Sequence, residues 1–414
     1  MTRHPPPVDT LQLSREEEQV VFQQASAFLQ KTLALETEFR RQGAKVDTRE
    51  WKEVSAVDDF FVYKQRKAVR RGRDLATSRD FSRSDEIAAP ELMSMRDDMS
   101  KKQWRVDTEG GLESTAPSTS SSASGGSPDE VYVPQMLCTG SLEGKLEDFM
   151  YGIYDGNDLA WRLRSAYLKD KLADSRILAT IRAPNHDDPF RFLGIKWFAT
   201  EYPGFVGTFA QDRETLVLEA MGMAKDENGE SYGYYLMHDF THPSIPIRTD
   251  SGGIRQKFNV CFIHRQVGPD RILEYGRGYV DPGGNMSVSK SISTAAASFS
   301  SVTNAVDAAY NKKLTWVMAT QRNRRAGSTA TASSSSVCQS CHKASHGVLS
   351  RSLLECDACG QFFCGKCIVE RKLVVDIHTT HLHPRALPFC FGCVLRAKQL
   401  SSYDVARMTN IKKK

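Results

Sequence analysis

The sequence predicts an α+β protein in which an antiparallel sheet is closed by a long C-terminal helix, followed by a small cysteine-rich module. Three observations carry this. Six apolar, strand-like segments run in succession from Ser175 to Val280, separated by short polar turns such as "PNHDDP", "DENGE" and "GPD". Apolar residues then recur at three- and four-residue steps from Ser289 to Gln321. Finally, eight of the ten cysteines fall between Cys338 and Cys393, all in C-x-x-C pairs.

At the N-terminal side, Ser14-Arg15-Glu16-Glu17 is a capping box, and Val21, Ala25, Phe28, Leu29 and Leu33 follow on one helical face. "WKEVSAVDDFFVYKQR" reads as a turn and then a short strand around Phe60 to Tyr63. From about 68 to 130 charge crowds together and gives way to "STAPSTSSSASGGSP". Such a stretch buries too little apolar surface to offset its ordering entropy, so a disordered insertion is expected. "VYVPQMLCTGSL" then reads as a strand, and Leu146, Phe149, Met150 and Ile153 share one side of a helix. A second helix runs through "DLAWRLRSAYLKD".

Successive strands with short turns favour an antiparallel meander over a parallel α/β sheet. The helix after "DPGGN" would be about 50 Å long at roughly 1.5 Å per residue, enough to cross a sheet. A curved sheet under such a helix suits an apolar cavity, while the alternative is a helix that seals a solid core. Either Phe258, Val260 and Phe262 or their neighbours Cys261 and Ile263 face inward, and periodicity leaves both sets open.

The 414 residues are 40% apolar with a net charge of +5, which allows two or more domains and at least one core. Positive charge is clumped in "KQRKAVRRGR", "RNRR" and the terminal "KKK". Solvated linker charge explains these clumps, with attraction to an anionic membrane surface as the functional alternative. Nucleic acid is not an expected partner, because no element interleaves aromatics with arginines. No apolar run of about 18 residues occurs, and "MTRHPPPVDT" lacks a signal-peptide core or a myristoylation glycine. A cytoplasmic protein is expected, free or peripheral on a membrane. Thiolate metal ligation suits a reducing compartment better than disulfides do. Cys138 and Cys261 sit in apolar strands as buried small hydrophobes.

The order of elements, with the strings "GSLEGKLEDFMYGIYD", "RILATI", "DPFRFLGIKWF", "RETLVLEAMG" and "GYVDPGGNMS", resembles START-like domains that oomycete-type proteins join to a zinc finger. The resemblance covers residues 14–322 and implies a helix-grip fold holding one sterol, phospholipid or similar lipid under the last helix. It names no lipid-binding residues. His238, Asp239, His242, His264 and Glu274 are the acid–base groups an enzyme on this fold would recruit. No G-x-S-x-G nucleophile motif accompanies them, and no enzyme is expected.

Four soft ligands close a tetrahedral zinc site, and two cysteines at x2 spacing reach one ion from a single turn. Cys338, Cys341, Cys356, Cys359, Cys364, Cys367, Cys390 and Cys393 therefore predict two structural Zn2+ ions with no open position for water. The four-residue gap in "CDACGQFFCGKC" resembles the FYVE finger. That resemblance implies a cross-brace, with Cys338, Cys341, Cys364 and Cys367 on one ion and Cys356, Cys359, Cys390 and Cys393 on the other. His342, His346, His378, His381 and His383 are spare ligands expected at the surface.

FYVE domains that read phosphatidylinositol 3-phosphate carry W-x-x-D, R-[RK]-H-H-C-R and R-V-C signatures, because a phosphate needs clustered cationic donors. Here the matching stretches are "SSSSV", Ser352-Leu353-Leu354-Glu355-Cys356-Asp357 and Leu387-Pro388-Phe389-Cys390. All three signatures are missing. Arg351, Arg371, Lys372 and Arg385 are the main stand-in cations, and Leu353, Leu354 and Phe363 could face a protein or fill the finger's core. The expected organisation is a START-like domain over 14–322, a flexible linker at 323–336, the finger at 337–400 and a basic tail at 401–414. The expected function is lipid binding without catalysis. The rivals are an endosomal phosphatidylinositol 3-phosphate adaptor and a scaffold for protein partners without lipid.

Overall fold

A computed structural model describes residues 8–66, 133–170, 172–200, 213–246, 254–284, 286–326, 336–344, 353–378 and 382–411. Residues 68–130, expected as an insertion, lie outside the described residues.

Helix α1 (Arg15–Arg41) starts where the capping box predicts: the Glu17 amide donates to Ser14 Oγ and the Ser14 amide donates to the Glu17 carboxylate. Strands β1 (Trp51–Val57) and β2 (Phe60–Gln65) form a hairpin, so the stretch expected as a turn is itself a strand. Its outward Lys52 and Glu53 hide the alternation, and the turn is made at Asp58, whose φ is 50°. Next come β3 (Met136–Glu143), α2 (Leu146–Ile153) and α3 (Asp158–Leu168). The meander is β4 (Leu172–Arg182), β5 (Phe192–Thr200), β6 (Arg213–Lys225), β7 (Ser231–Asp239), β8 (Ile254–Gln266) and β9 (Arg271–Asp281).

All nine strands form one sheet in the order β1-β2-β3-β9-β8-β7-β6-β5-β4. Neighbours are antiparallel, and beyond the end of the shorter β7 a short parallel pairing joins β6 to β8. The outer face packs on α1 through Val21, Ala25 and Leu33 against Ile195, Leu218 and Ile263. The inner face packs on α2 and two later helices through Phe149, Phe262, Phe299 and Ala309.

The expected single long helix is two. Helix α4 (Val288–Ser300) ends in a 3-10 turn at Ser301–Asn304, and α5 (Ala305–Ala326) follows. Local polar side chains compete for the helical carbonyls there: Ser301 Oγ donates to Ser298 O at 2.7 Å and Thr303 Oγ1 to Ser300 O at 2.9 Å. The bend seats Ala305 against Gly152 of α2 so closely that a Cβ at Gly152 would run into the Ala305 carbonyl.

The cysteine-rich module contains β10 (Leu354–Glu355), β11 (Phe362–Phe363), β12 (Ile368–Leu373), β13 (Arg385–Cys390) and α6 (Phe391–Gln399). Residues expected as a basic tail instead form α7 (Ser402–Thr409), whose Val405 and Ala406 are buried in the inner-face core. The residues expected as a linker begin as the last turn of α5, and 327–335 lie outside the described residues.

Candidate metal centres and the buried inner face

The module is organised around two thiol tetrads. Cys338, Cys341, Cys364 and Cys367 form one, and Cys356, Cys359, Cys390 and Cys393 the other, with the four Sγ atoms of each within 4.8 Å of one another. Two C-x2-C turns share one design. The His342 amide donates back to Cys338 O at 2.9 Å, and the Gly360 amide to Cys356 O at 2.8 Å. The residue after each second cysteine takes a left-handed backbone, with φ 54° at His342 and 72° at Gly360. His342 is thus a turn residue and exposed, as are His378 and His383; His346 and His381 lie outside the described residues.

A tetrahedron with metal–sulfur bonds of about 2.3 Å has sulfur–sulfur edges of about 3.8 Å. The Cys341–Cys364 and Cys359–Cys390 Sγ pairs stand at 3.7 and 4.0 Å. Backbone amides also reach the sulfurs: the Cys390 amide lies 3.3 Å from Cys356 Sγ, and Cys390 Sγ caps α6 by accepting from the Cys393 amide at 3.4 Å. Four thiols at this spacing, with amide donors turned toward sulfur, fit a soft divalent ion at each centre.

Of the described stand-in cations, Arg371 and Lys372 are neighbours on β12 and Arg385 starts the strand paired with it. Arg371 and Lys372 line a groove of about 270 Å3 against α5, together with the carboxylates of Asp307 and Glu370. Arg385 is exposed at the start of β13, and Arg351 lies outside the described residues. Asp357, beside Cys356, pairs with Arg322 of α5 at 2.6 Å. Phe363 is buried and Leu353 partly so in the core that the module shares with α5, whereas Leu354 stays 44% exposed.

On the inner face, Phe258, Val260 and Phe262 point toward the helices, and Cys261 and Ile263 point toward α1. Of the acid–base residues, His264 and Glu274 meet across β8 and β9, with Nδ1 and Oε2 2.5 Å apart and both side chains buried. Burial pushes the Glu274 carboxyl up, opposed by His264. Phe149 and Phe262 flank the imidazole with ring centroids at 4.6 and 6.4 Å. His238 faces outward onto the Phe28 ring, and burial lowers its pKa. Asp239 is buried at the end of β7, and His242 lies 3.8 Å from Glu17 of α1. The five residues therefore do not form one site.

A second buried polar group went unpredicted. Lys196 Nζ lies 2.8 Å from Asp155 Oδ1 and 2.5 Å from Glu219 Oε1, with Arg164 2.8 Å from the other Asp155 oxygen. Tyr235 donates to Glu219 Oε2 at 3.1 Å. Burial, then the charge of Asp155, raises the Glu219 pKa to about 8. Burial acts the same way on Asp155, but Lys196 and Arg164 outweigh it and hold that carboxyl low. The signal in the sequence was one charged residue at the centre of each apolar strand, "FLGIKWFAT" and "TLVLEAMGM".

No family model matches the chain, and no curated protein matches it. Among solved structures, the chain is similar to human StAR-related lipid transfer protein 5, at 14% identity and a TM-score of 0.39 over 70% of this chain and 98% of that one. Human STARD10 matches at 10% identity and 0.36, over 66% and 78%. A STAR-related lipid transfer protein fragment from Xanthomonas axonopodis matches at 10% identity and 0.33, over 62% and 96%. Among the described residues, no helix is long and apolar enough to cross a membrane.

Proposed function

We propose that the chain is a non-enzymatic lipid-binding protein, in which a START-like domain takes a hydrophobic ligand on the inner face of its sheet. The cysteine-rich module is a FYVE-related finger holding two structural zinc ions at Cys338, Cys341, Cys364 and Cys367, and at Cys356, Cys359, Cys390 and Cys393. It no longer reads phosphoinositides.

The observation that carries the ligand reading is the inner face itself, where Phe258, Val260 and Phe262 alternate toward covering helices and buried charged groups stand among them. An apolar surface with a few fixed polar groups is the usual chemistry of a small-molecule site. Against catalysis stands the placement of the candidate groups: His264 and Glu274 meet on the inner face, whereas His238 and His242 lie against α1. For the finger, the acids Glu355 and Asp357, and Asp307 and Glu370 beside Arg371 and Lys372, disfavour phosphate.

A second reading is supported by ring contacts across the interior, such as Phe262 on Phe299 at 5.4 Å, which suit a solid-core protein-interaction scaffold. Native mass spectrometry of the full chain purified without chelator separates the two. A lipid mass released by organic solvent, on top of two zinc ions, is the expected result. A zinc-only mass that is unchanged after incubation with mixed liposomes favours the scaffold.

A further inference from the structure

Helix α5 serves two cores. Ala305, Val306, Ala308 and Ala309 in its first half pack into the inner-face core. Leu314, Val317 and Met318 in its second half share an apolar core with Phe363, Leu373, Phe389 and Ala397 of the finger. The helix that covers the sheet is thus also the floor on which the finger stands.

Two consecutive lysines fasten it. Lys312 Nζ donates to the Tyr151 and Gly152 carbonyls, each at 2.9 Å, tying α5 to the end of α2. Lys313 Nζ donates to Asp148 Oδ1 of α2 at 2.6 Å, to Leu400 O at 2.9 Å and to Lys398 O at 3.2 Å. Ser402 Oγ donates to the same Asp148 oxygen at 2.6 Å. One fully buried ammonium therefore joins α2, α5 and the turn between α6 and α7.

Beyond that knot, α7 runs back over the main domain. Ser401 Oγ donates to Glu147 Oε2 at 3.1 Å, Arg407 Nε to His186 O at 2.9 Å and Asn410 Nδ2 to Pro189 O at 3.0 Å. The Tyr403 ring lies 4.9 Å from Phe190. On the finger's other side, the Val374 amide donates to the Tyr167 hydroxyl of α3 at 2.9 Å.

We propose that the finger and α7 form a clasp across α5, so that this covering helix leaves the inner face only when the C-terminal third lets go. A rigid shift of α5 alone would uncover Leu314, Val317 and Met318 and strand Lys313 and Asp148 as separated buried charges, which is costly. The finger's docking face is made partly of its own cysteines and exists only while the two centres are closed. Metal occupancy thereby becomes a control on the covering helix. The inference rests on the metal reading of the tetrads and stands apart from the ligand reading.

The test is hydrogen–deuterium exchange of the full-length protein, with and without a zinc chelator, and of Asp148→Asn with zinc retained. On chelation, amides of 305–320, 146–153 and 402–409 should exchange on the order of tenfold faster or more, while α1 and β5 to β8 keep their protection. Asp148→Asn should accelerate 305–320 and 402–409 without releasing zinc. Acceleration confined to 337–400 would overturn the clasp. So would uniform acceleration that includes β5 to β8, which would make the C-terminal third a general stabiliser.

Discussion

His264 and Arg265 are neighbours on β8 that face opposite sides of one sheet, and they show how differently the two faces are finished. On the outer face, Arg265 is fully matched. Its guanidinium makes two 3.0 Å bonds to Glu36 of α1 and one of 2.8 Å to Asp226. On the inner face, His264 bonds Glu274 once, and among the described residues its Nε2 and Glu274 Oε1 have no hydrogen-bond partner. Buried polar atoms left open cost stability, whereas matched ones largely recover their desolvation. The outer face is built to hold α1 in place. On the inner face, the His264–Glu274 pair keeps two buried polar atoms without a partner among the described residues.

The largest expected effect is in the cysteine-rich module that packs on α5. Cys356→Ser should reduce bound zinc from two ions to one in native mass spectrometry and melt the module before the sheet. Structural zinc is worth on the order of 10 kcal/mol in isolated fingers. Arg265→Met leaves buried Glu36 with only Arg40, 3.6 Å away, and should lower stability by about 3 kcal/mol in urea unfolding. The paired swap His264→Phe with Glu274→Leu should instead be neutral or stabilise by about 1 to 4 kcal/mol, because it removes unmet polar atoms. A large loss from that swap would mean that the dyad holds the fold.

The smallest effect concerns pH. Glu219 has a folded pKa of about 8, raised from its ordinary value of 4.5, so the native state binds its proton more tightly than the unfolded chain does. Its contribution is fully present below about 4.5 and is lost as pH rises through about 8. The Tm of Glu219→Gln should therefore gain on that of the wild type as pH rises from 5 to 8. A constant difference between the two would show that Glu219 is ionised throughout, paired to Lys196.

The meander was legible because each strand combined an apolar run with a turn signal at its end, and β4 to β9 fall on all six predicted segments. The cysteine tetrads were legible in residue type and spacing, while their pairing came from resemblance alone. Three features were hidden for physical reasons. β1 is a polar-faced edge strand, so it lacks the alternation that marks β2. The break between α4 and α5 interrupts an apolar stripe that continues in phase across it, although "SSVTN" is poor helix-forming sequence. The docking of α7 depends on Asp148 and Lys313, which are 165 residues apart in sequence. Lys196 and Glu219 belong together only because β5 and β6 pair so that both project inward.

A ligand on the inner face would be detected by incubating the full-length protein with liposomes containing a photoreactive phospholipid, irradiating, and mapping the cross-linked peptides. Cross-links on the peptide bearing Phe258, Val260 and Phe262, and on α4 or α5, are the expected result. Cross-links confined to the exposed finger surface around Leu354, or none above an unirradiated control, would contradict it.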